Sequence, residues 1–237
     1  MSERFFVHVP ITGERATLTG EEARHLSGVM RARIGDEVTL FDGLGSEWAA
    51  AVASIQKHSV ELSISARREV SRELAFDLTL AVALPKGERQ KWLVEKATEL
   101  GATRLIPLIT ARGVAQPVEG ALERLRRAVI EASKQCGRNR LLEIAPPRIA
   151  TELFGDLGRA PHSSELRLLA DPHGLPLLKL PQAEGSILVA VGPEGGFAPE
   201  ELAAATVADW KLVTLGPRIL RVETAAIALA AWAAYRS

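Results

Sequence analysis

The runs VGPEGGFAPEE at Val191–Glu201 and LGPRILRVETA at Leu215–Ala225 decide how the rest of this chain is read. Each sets Gly-Pro behind a short apolar stretch of strand character, Ile187–Val191 and Lys211–Leu215, and each leads into a helix start. Glycine at a strand end lets backbone N–H and C=O groups come close to a ligand, because no Cβ stands in the way. Two such loops at the C-terminal edge of a parallel sheet predict a ligand crevice. The competing reading is that the glycines only turn the chain from strand to helix. Pro199, followed by Glu200 and Glu201, suits the first turn of a helix: proline needs no donor there, and acids favour the positive end.

Working upstream, the same strand-then-helix rhythm begins at Phe76. Leu78–Leu84 is an apolar run, and 88–100 reads as a helix with Leu93, Ala97 and Leu100 at i, i+4 and i+7. Gly101 stands where a C-cap glycine belongs. Leu105–Ile109 is the next strand. In the helix from Glu119, Leu122, Leu125, Val129, Ala132 and Cys136 form one stripe; Arg124, Arg127, Glu131, Lys134 and Arg138 form another. Leu166–Ala170 precedes the two final strands. Strands alternating with helices predict an α/β fold, a mostly parallel sheet covered on both faces. The first seventy residues differ: turn signals at Gly35-Asp36 and Asp42-Gly43 separate short strands at 38–41, 48–55 and 60–66, with one helix at 21–26. These strands suggest a small barrel, and the charged segment 67–74 reads as a linker. The expected domains are therefore 1–70 and 74–237.

Composition narrows the function classes. The 237 residues carry 29 Lys and Arg against 29 Asp and Glu, so a globally basic nucleic-acid binder is not indicated. A local surplus survives: between Ala121 and Ala150 seven Arg or Lys face three Glu. Such a patch suffices to neutralise a few phosphates. One cysteine, Cys136, excludes an intramolecular disulfide and a cysteine-based zinc cluster, and no metal site is expected. The longest apolar run, 225–234, falls far short of the ~20 residues that span a bilayer. A signal-peptide core is missing at the start, and a cytoplasmic protein is expected.

The paired loops resemble the C-terminal signature of the SPOUT-class RNA methyltransferases, and within that class the RsmE family. The resemblance extends to Lys86, to the block Glu95-Lys96-Ala97-Thr98-Glu99-Leu100-Gly101, and to Glu131-Ala132 with Gln135 and Arg138. It reaches Arg4-Phe5-Phe6, His25 and Met30-Arg31 near the start, and departs from the family pattern between Cys136 and Leu142. It implies a SPOUT-type parallel sheet with a C-terminal trefoil knot, plus a small N-terminal PUA-like β-barrel domain for RNA binding. It further implies S-adenosylmethionine as cofactor, a homodimer, and methylation of N3 of a uridine in small-subunit (16S) ribosomal RNA, either free or in the assembled subunit.

Matched residue by residue, the cofactor loops would be Gly192, Pro193, Glu194, Gly195 and Gly196, then Leu215, Gly216, Ile219, Leu220, Arg221, Thr224 and Ala225. Leu169 and Ala170 form a further candidate wall. Arg221 is the candidate for stabilising negative charge on the uracil oxygens, or else it pairs with Glu223 or Glu194. Glu194 is a second catalytic candidate, accepting a proton or holding the cofactor's amino group. Arg4, Arg31, Lys86 and Arg138 are the RNA-binding candidates. His25 either packs the N-terminal domain or touches RNA, and Trp92, Trp210 and Trp232 read as packing anchors. The apolar helix 224–235 is expected to be buried, within the monomer or at a two-fold contact. Three alternatives stay open: a SPOUT enzyme for another rRNA or tRNA nucleotide, a non-catalytic RNA-binding ribosome-assembly protein, and a nucleotide-binding oxidoreductase. The last lacks an early G-x-G-x-x-G with its following acid.

Overall fold

Alternating burial along the chain builds the N-terminal sheet in the computed structural model, which describes residues 3–113, 118–155, 165–180 and 185–235. Strands β1 (Arg4–Phe6), β2 (Arg15–Thr19), β3 (Glu37–Phe41), β4 (Glu47–Ile55) and β5 (Ser59–Arg68) pair in the order β1–β3–β4–β5–β2. Only β1–β3 is parallel. Among the described residues no pairing joins β1 to β2, so the expected barrel is an open half-barrel. Its inner face carries Phe5, Leu18, Leu40, Val52, Val60 and Leu62, with Leu26 added by the helical segment after β2. That segment is one turn of α-helix, α1 (Gly20–Arg24), which widens into a π-turn over His25–Val29. It delivers Arg31 in a left-handed conformation, φ 55°.

Chain contacts divide the molecule into two units, Met1–Glu73 with Ile130–Leu141, and Leu74–Val129 with Leu142–Ser237. The first unit thus takes in twelve residues from the second half of the chain.

The second unit is the α/β part. Its elements run β6 (Leu78–Val82), α2 (Arg89–Glu99), β7 (Arg104–Ile109), α3 (Glu119–Cys136), β8 (Glu143–Ile144), β9 (Arg148–Ile149) and α4 (Ala150–Gly155). They continue as β10 (Leu166–Pro176), β11 (Ile187–Val191), α5 (Pro199–Val207), β12 (Lys211–Thr214) and α6 (Val222–Ala234). The sheet is parallel, in the order β12–β10–β11–β6–β7–β8, with β9 also on β7. Near-continuous burial along β6 and β11 is what a sheet covered on both faces requires. Ala81, Ala190 and Leu169 point into a cluster with Phe154 of α4, Ala205 of α5 and Trp210, while α6 lies against α2, β6 and β11.

Because β10 lies between β11 and β12, the chain leaving β11 through α5 must pass β10 to reach the sheet edge. After β12 it returns to lay α6 on β11 and β6. The expected knot depends on this crossing.

Two expectations about helices change. α6 buries Val222, Ala225, Ala226, Leu229, Ala230 and Ala233, but Thr224 and Ala231 are exposed, so it is covered on one side rather than all round. Trp92 is 43% exposed and is no core anchor, whereas Trp210 is buried edge-on against Phe154.

Candidate active site

The two glycine loops meet at one cavity of about 510 Å³ in the second unit. The first loop is shaped from below. The Phe197 ring would lie 3.1 Å from a Cβ on Gly192, a tight contact, and is itself held edge-on by Phe154 at 5.4 Å. The Gly196 N–H donates to Pro193 O at 2.8 Å, closing a turn that places Gly196 at φ 69°. Arg112 straps the outer side: its Nη1 donates to Gly195 O at 2.9 Å. Glu201, only 3% exposed, accepts from the Ala198 N–H at 2.7 Å and the Ala111 N–H at 2.9 Å. It therefore ties the start of α5 to the segment after β7. Ala198 has no side-chain acceptor, so only the glutamate half of a capping box forms.

The second loop is held more loosely. Its Gly216 has φ 111°, and the Gly216 N–H donates to Thr214 Oγ1 at 3.3 Å. Ile219 is 86% exposed on the cavity wall, an apolar side chain with nothing over it.

Eleven of the expected cofactor residues line this cavity: Ala170, Gly192, Pro193, Glu194, Gly195, Gly196, Leu215, Gly216, Ile219, Leu220 and Ala225. Three do not. Leu169 is fully buried in the core cluster, since successive strand residues face opposite sides and Ala170 takes the cavity side. Thr224 turns outward from α6, one position out of phase with Ala225. Arg221 is the exposed N-cap of α6 and lies off the lining; of the two arginines on the wall, Arg112 and Arg218, the second belongs to this loop. Nor does Arg221 pair with Glu194 or Glu223, for both acids face Arg89.

Sequence reading also missed Asp171, Pro172 and His173, which line the cavity from an irregularity in β10 between Ala170 and Leu175. There Asp171 Oδ1 accepts the His173 N–H at 2.7 Å. A Cβ on Gly174 would lie 2.4 Å from Val213 N, so glycine alone permits this close approach. The turn signal Asp-Pro-His-Gly was present in the sequence.

The RNA-binding candidates divide. Arg31 and Lys86 are exposed, and Lys86 lines a smaller cavity of about 230 Å³ with Pro85, Gly113, Pro193 and Glu194. Arg138, 3% exposed, is committed to Glu73, its Nε donating to Oε2 at 3.1 Å. Arg4 donates to Glu47 at 2.8 Å and to Asn139 Oδ1 at 2.6 Å, and its guanidinium lies 5.0 Å from the Phe41 ring centroid. Both are paired with acids inside the N-terminal unit, and neither is exposed as Arg31 and Lys86 are. Burial tends to raise the Glu47 pKa, yet the hydrogen bonds from Arg4 and Arg72 outweigh it and hold the carboxyl below its usual range. Lys134 behaves alike with opposite sign. Burial works against its charge, but Glu22 at 2.8 Å raises it above an ordinary lysine. His25 packs edge-on to Phe5.

Residues 72–234 match the RNA methyltransferase domain family, and residues 18–65 match the RNA methyltransferase PUA domain family. The chain belongs to this RNA methyltransferase family. A Synechocystis relative, ribosomal RNA small subunit methyltransferase E, is 34% identical over 88% of this chain and 69% of its own length. The Neisseria gonorrhoeae protein of the same name, solved bound to S-adenosyl methionine, superposes with TM-score 0.88 at 31% identity, covering 98% of this chain and 96% of that one. A Legionella pneumophila methyltransferase solved with bound SAM gives TM-score 0.88 at 29% identity, covering 98% and 96%. Membership of the RsmE family is thereby established, and with it the α/β class and the PUA-type N-terminal unit.

Proposed function

We propose that this chain transfers a methyl group from S-adenosylmethionine to N3 of a uridine in small-subunit ribosomal RNA. The RsmE family makes it an S-adenosylmethionine-dependent rRNA methyltransferase. The supporting observation is the cavity between the glycine loops. Its size suits a small-molecule ligand, the Phe197 ring crowds any side chain at Gly192, and the bare Ile219 offers an apolar face to cover. Backbone groups of Gly192–Gly196 and Leu215–Gly216 would hold the donor, with Leu215, Ile219 and Leu220 against its apolar faces.

When bound, the donor supplies a methyl group already made electrophilic by a sulfonium, so the protein's task is alignment and proton handling. The N3 lone pair is free only after its proton leaves. Glu194, on the cavity wall, is assigned as proton acceptor. Arg218, the wall cation nearest in sequence to the second loop, takes the charge-stabilising part first expected of Arg221. Arg221, exposed and without an ion pair among the described residues, is assigned with Arg31 and Lys86 to the RNA backbone. The base must be splayed out of any helix to present its Watson–Crick edge.

The N-terminal unit is read as the RNA-holding domain. A homodimer acting in the cytoplasm completes the proposal; among the described residues no helix is long and apolar enough to cross a membrane. Mass spectrometry of ribosomal RNA from a deletion strain tests the target: one N3-methyluridine should vanish and return on complementation. An intact set would refute the assignment.

A further inference from the structure

Glu223 is a buried acid that the reading above does not use. It lies in the first turn of α6, its side chain is 8% exposed, and its Oε2 has no hydrogen-bond partner among the described residues. A helix N-terminus favours an acid there, but not enough to offset loss of water around a carboxylate. The cation facing it is Arg89, the first residue of α2, with Nη1 3.6 Å from Glu223 Oε2. The same Nη1 lies 3.5 Å from Glu194 Oε1. One guanidinium nitrogen thus stands between a buried carboxylate and a carboxylate 55% exposed on its side chain.

Glu194 occupies a particular place. It and Pro193 are the two residues that line both the donor cavity and the smaller cavity beside Lys86. A carboxylate there adjoins both spaces, and without a restraint it would rotate freely into solvent.

We propose that Arg89 is a positioning residue which holds Glu194 on the wall shared by the two cavities, with Glu223 as the buried anchor that fixes Arg89. The arrangement also links the two glycine loops, because Glu223 belongs to the helix launched by the second and Glu194 to the first. Arg89 approaches no other acid among the described residues, and its two contacts exceed hydrogen-bond length, so orientation comes from charge rather than from a rigid fork. This inference rests on Glu194 being the proton acceptor proposed above.

The experiment measures single-turnover methyl transfer to small-subunit rRNA at saturating S-adenosylmethionine, with donor affinity from calorimetry. Arg89→Ala is made together with Glu223→Gln, so that no bare buried charge remains to unfold the protein. The rate should fall roughly 10–100-fold, with donor Kd within about threefold of wild type. Arg89→Lys should recover most of the rate. In a Glu194→Gln background, the added Arg89→Ala and Glu223→Gln should cost nothing further. An unchanged rate in the double variant, an equal loss in the Glu194→Gln background, or a loss confined to donor affinity would each overturn the proposal. Glu194→Gln alone transferring methyl at the wild-type rate would instead overturn the proton-acceptor reading on which it rests.

Discussion

In the N-terminal unit the cations Arg4, Arg72, Lys134 and Arg138 all close on carboxylates: Glu47 for the first two, Glu22 and Glu73 for the others. Around the cavity between the glycine loops, by contrast, Arg218 and Arg221 have no ion-pair partner among the described residues, and Arg112 donates to the carbonyls of Gly195 and Phe197. Apart from Arg4, both sets lie within 72–234, one of the two segments that match the family. The difference lies in what surrounds them. A cation packed among carboxylates with little access to water is neutralised where it sits, whereas one beside a glycine loop retains its charge for a ligand that brings its own.

The strongest way to break this contrast is Arg138→Ala. It strands Glu73 in a poorly solvated position, and removing one partner of a buried pair costs about 3–5 kcal/mol. The midpoint of urea unfolding should drop accordingly. If Arg138 were an RNA contact instead, stability would hold and rRNA affinity would fall. Next in size comes the comparison of Arg218→Ala with Arg221→Ala. Loss of a charge-stabilising group on the cavity wall should slow single-turnover transfer by roughly 100-fold. Arg221→Ala should leave that rate intact at saturating RNA while reducing the salt dependence of RNA binding by about one unit of slope. Equal rates for the two variants would remove the distinction drawn between them.

The glycine loops supply a test of intermediate size. Gly216, at φ 111°, has open space around a built Cβ, so Gly216→Ala isolates backbone strain from crowding. That strain is about 1–2 kcal/mol, which should weaken donor binding roughly 5–30-fold by calorimetry. Normal affinity would mean the second loop adopts another conformation with donor bound.

The pH response sharpens the comparison from the other side. Glu47 has its folded pKa held below the usual range, so its pairing stabilises fully above the ordinary carboxylate pKa. That contribution should fade as pH falls through the ordinary value towards the folded one. Glu47→Gln should flatten this acid limb of a stability–pH curve. Lys134, raised above an ordinary lysine, contributes fully below the usual lysine pKa and loses its part as pH rises past that value. A curve unchanged at both ends would contradict the interior role of these pairs.

How much of this was readable beforehand depends on whether the controlling contact is local. Both glycine loops, the Pro199 helix start and the Gly101 cap follow from short words in the chain, and the structure keeps them. The phase of β10 was not readable: Leu166, Leu168 and Leu169 are all apolar, so nothing marks Leu169 as core and Ala170 as wall. The burial of Arg138 depends on Glu73, 65 positions away, and that of Arg4 on Asn139, 135 away. No helix or strand period carries such information. Arg218 and Arg221 are three apart in one loop, and only the backbone path shows which reaches the cavity.

The smallest effect belongs to a pair with the same chemistry as Arg138–Glu73 and almost none of its burial. Lys91 and Glu95 sit one turn apart on α2, 3.7 Å from each other, with side chains 61% and 31% exposed. Water screens both charges, and ordering two flexible side chains offsets much of the attraction. Lys91→Ala should therefore change unfolding free energy by less than about 0.5 kcal/mol and leave methyl transfer unaltered. A larger loss would mean that the lysine also supports something outside its helix. The contrast between paired interior cations and open cavity cations would then need redrawing around α2, the helix that also presents Arg89.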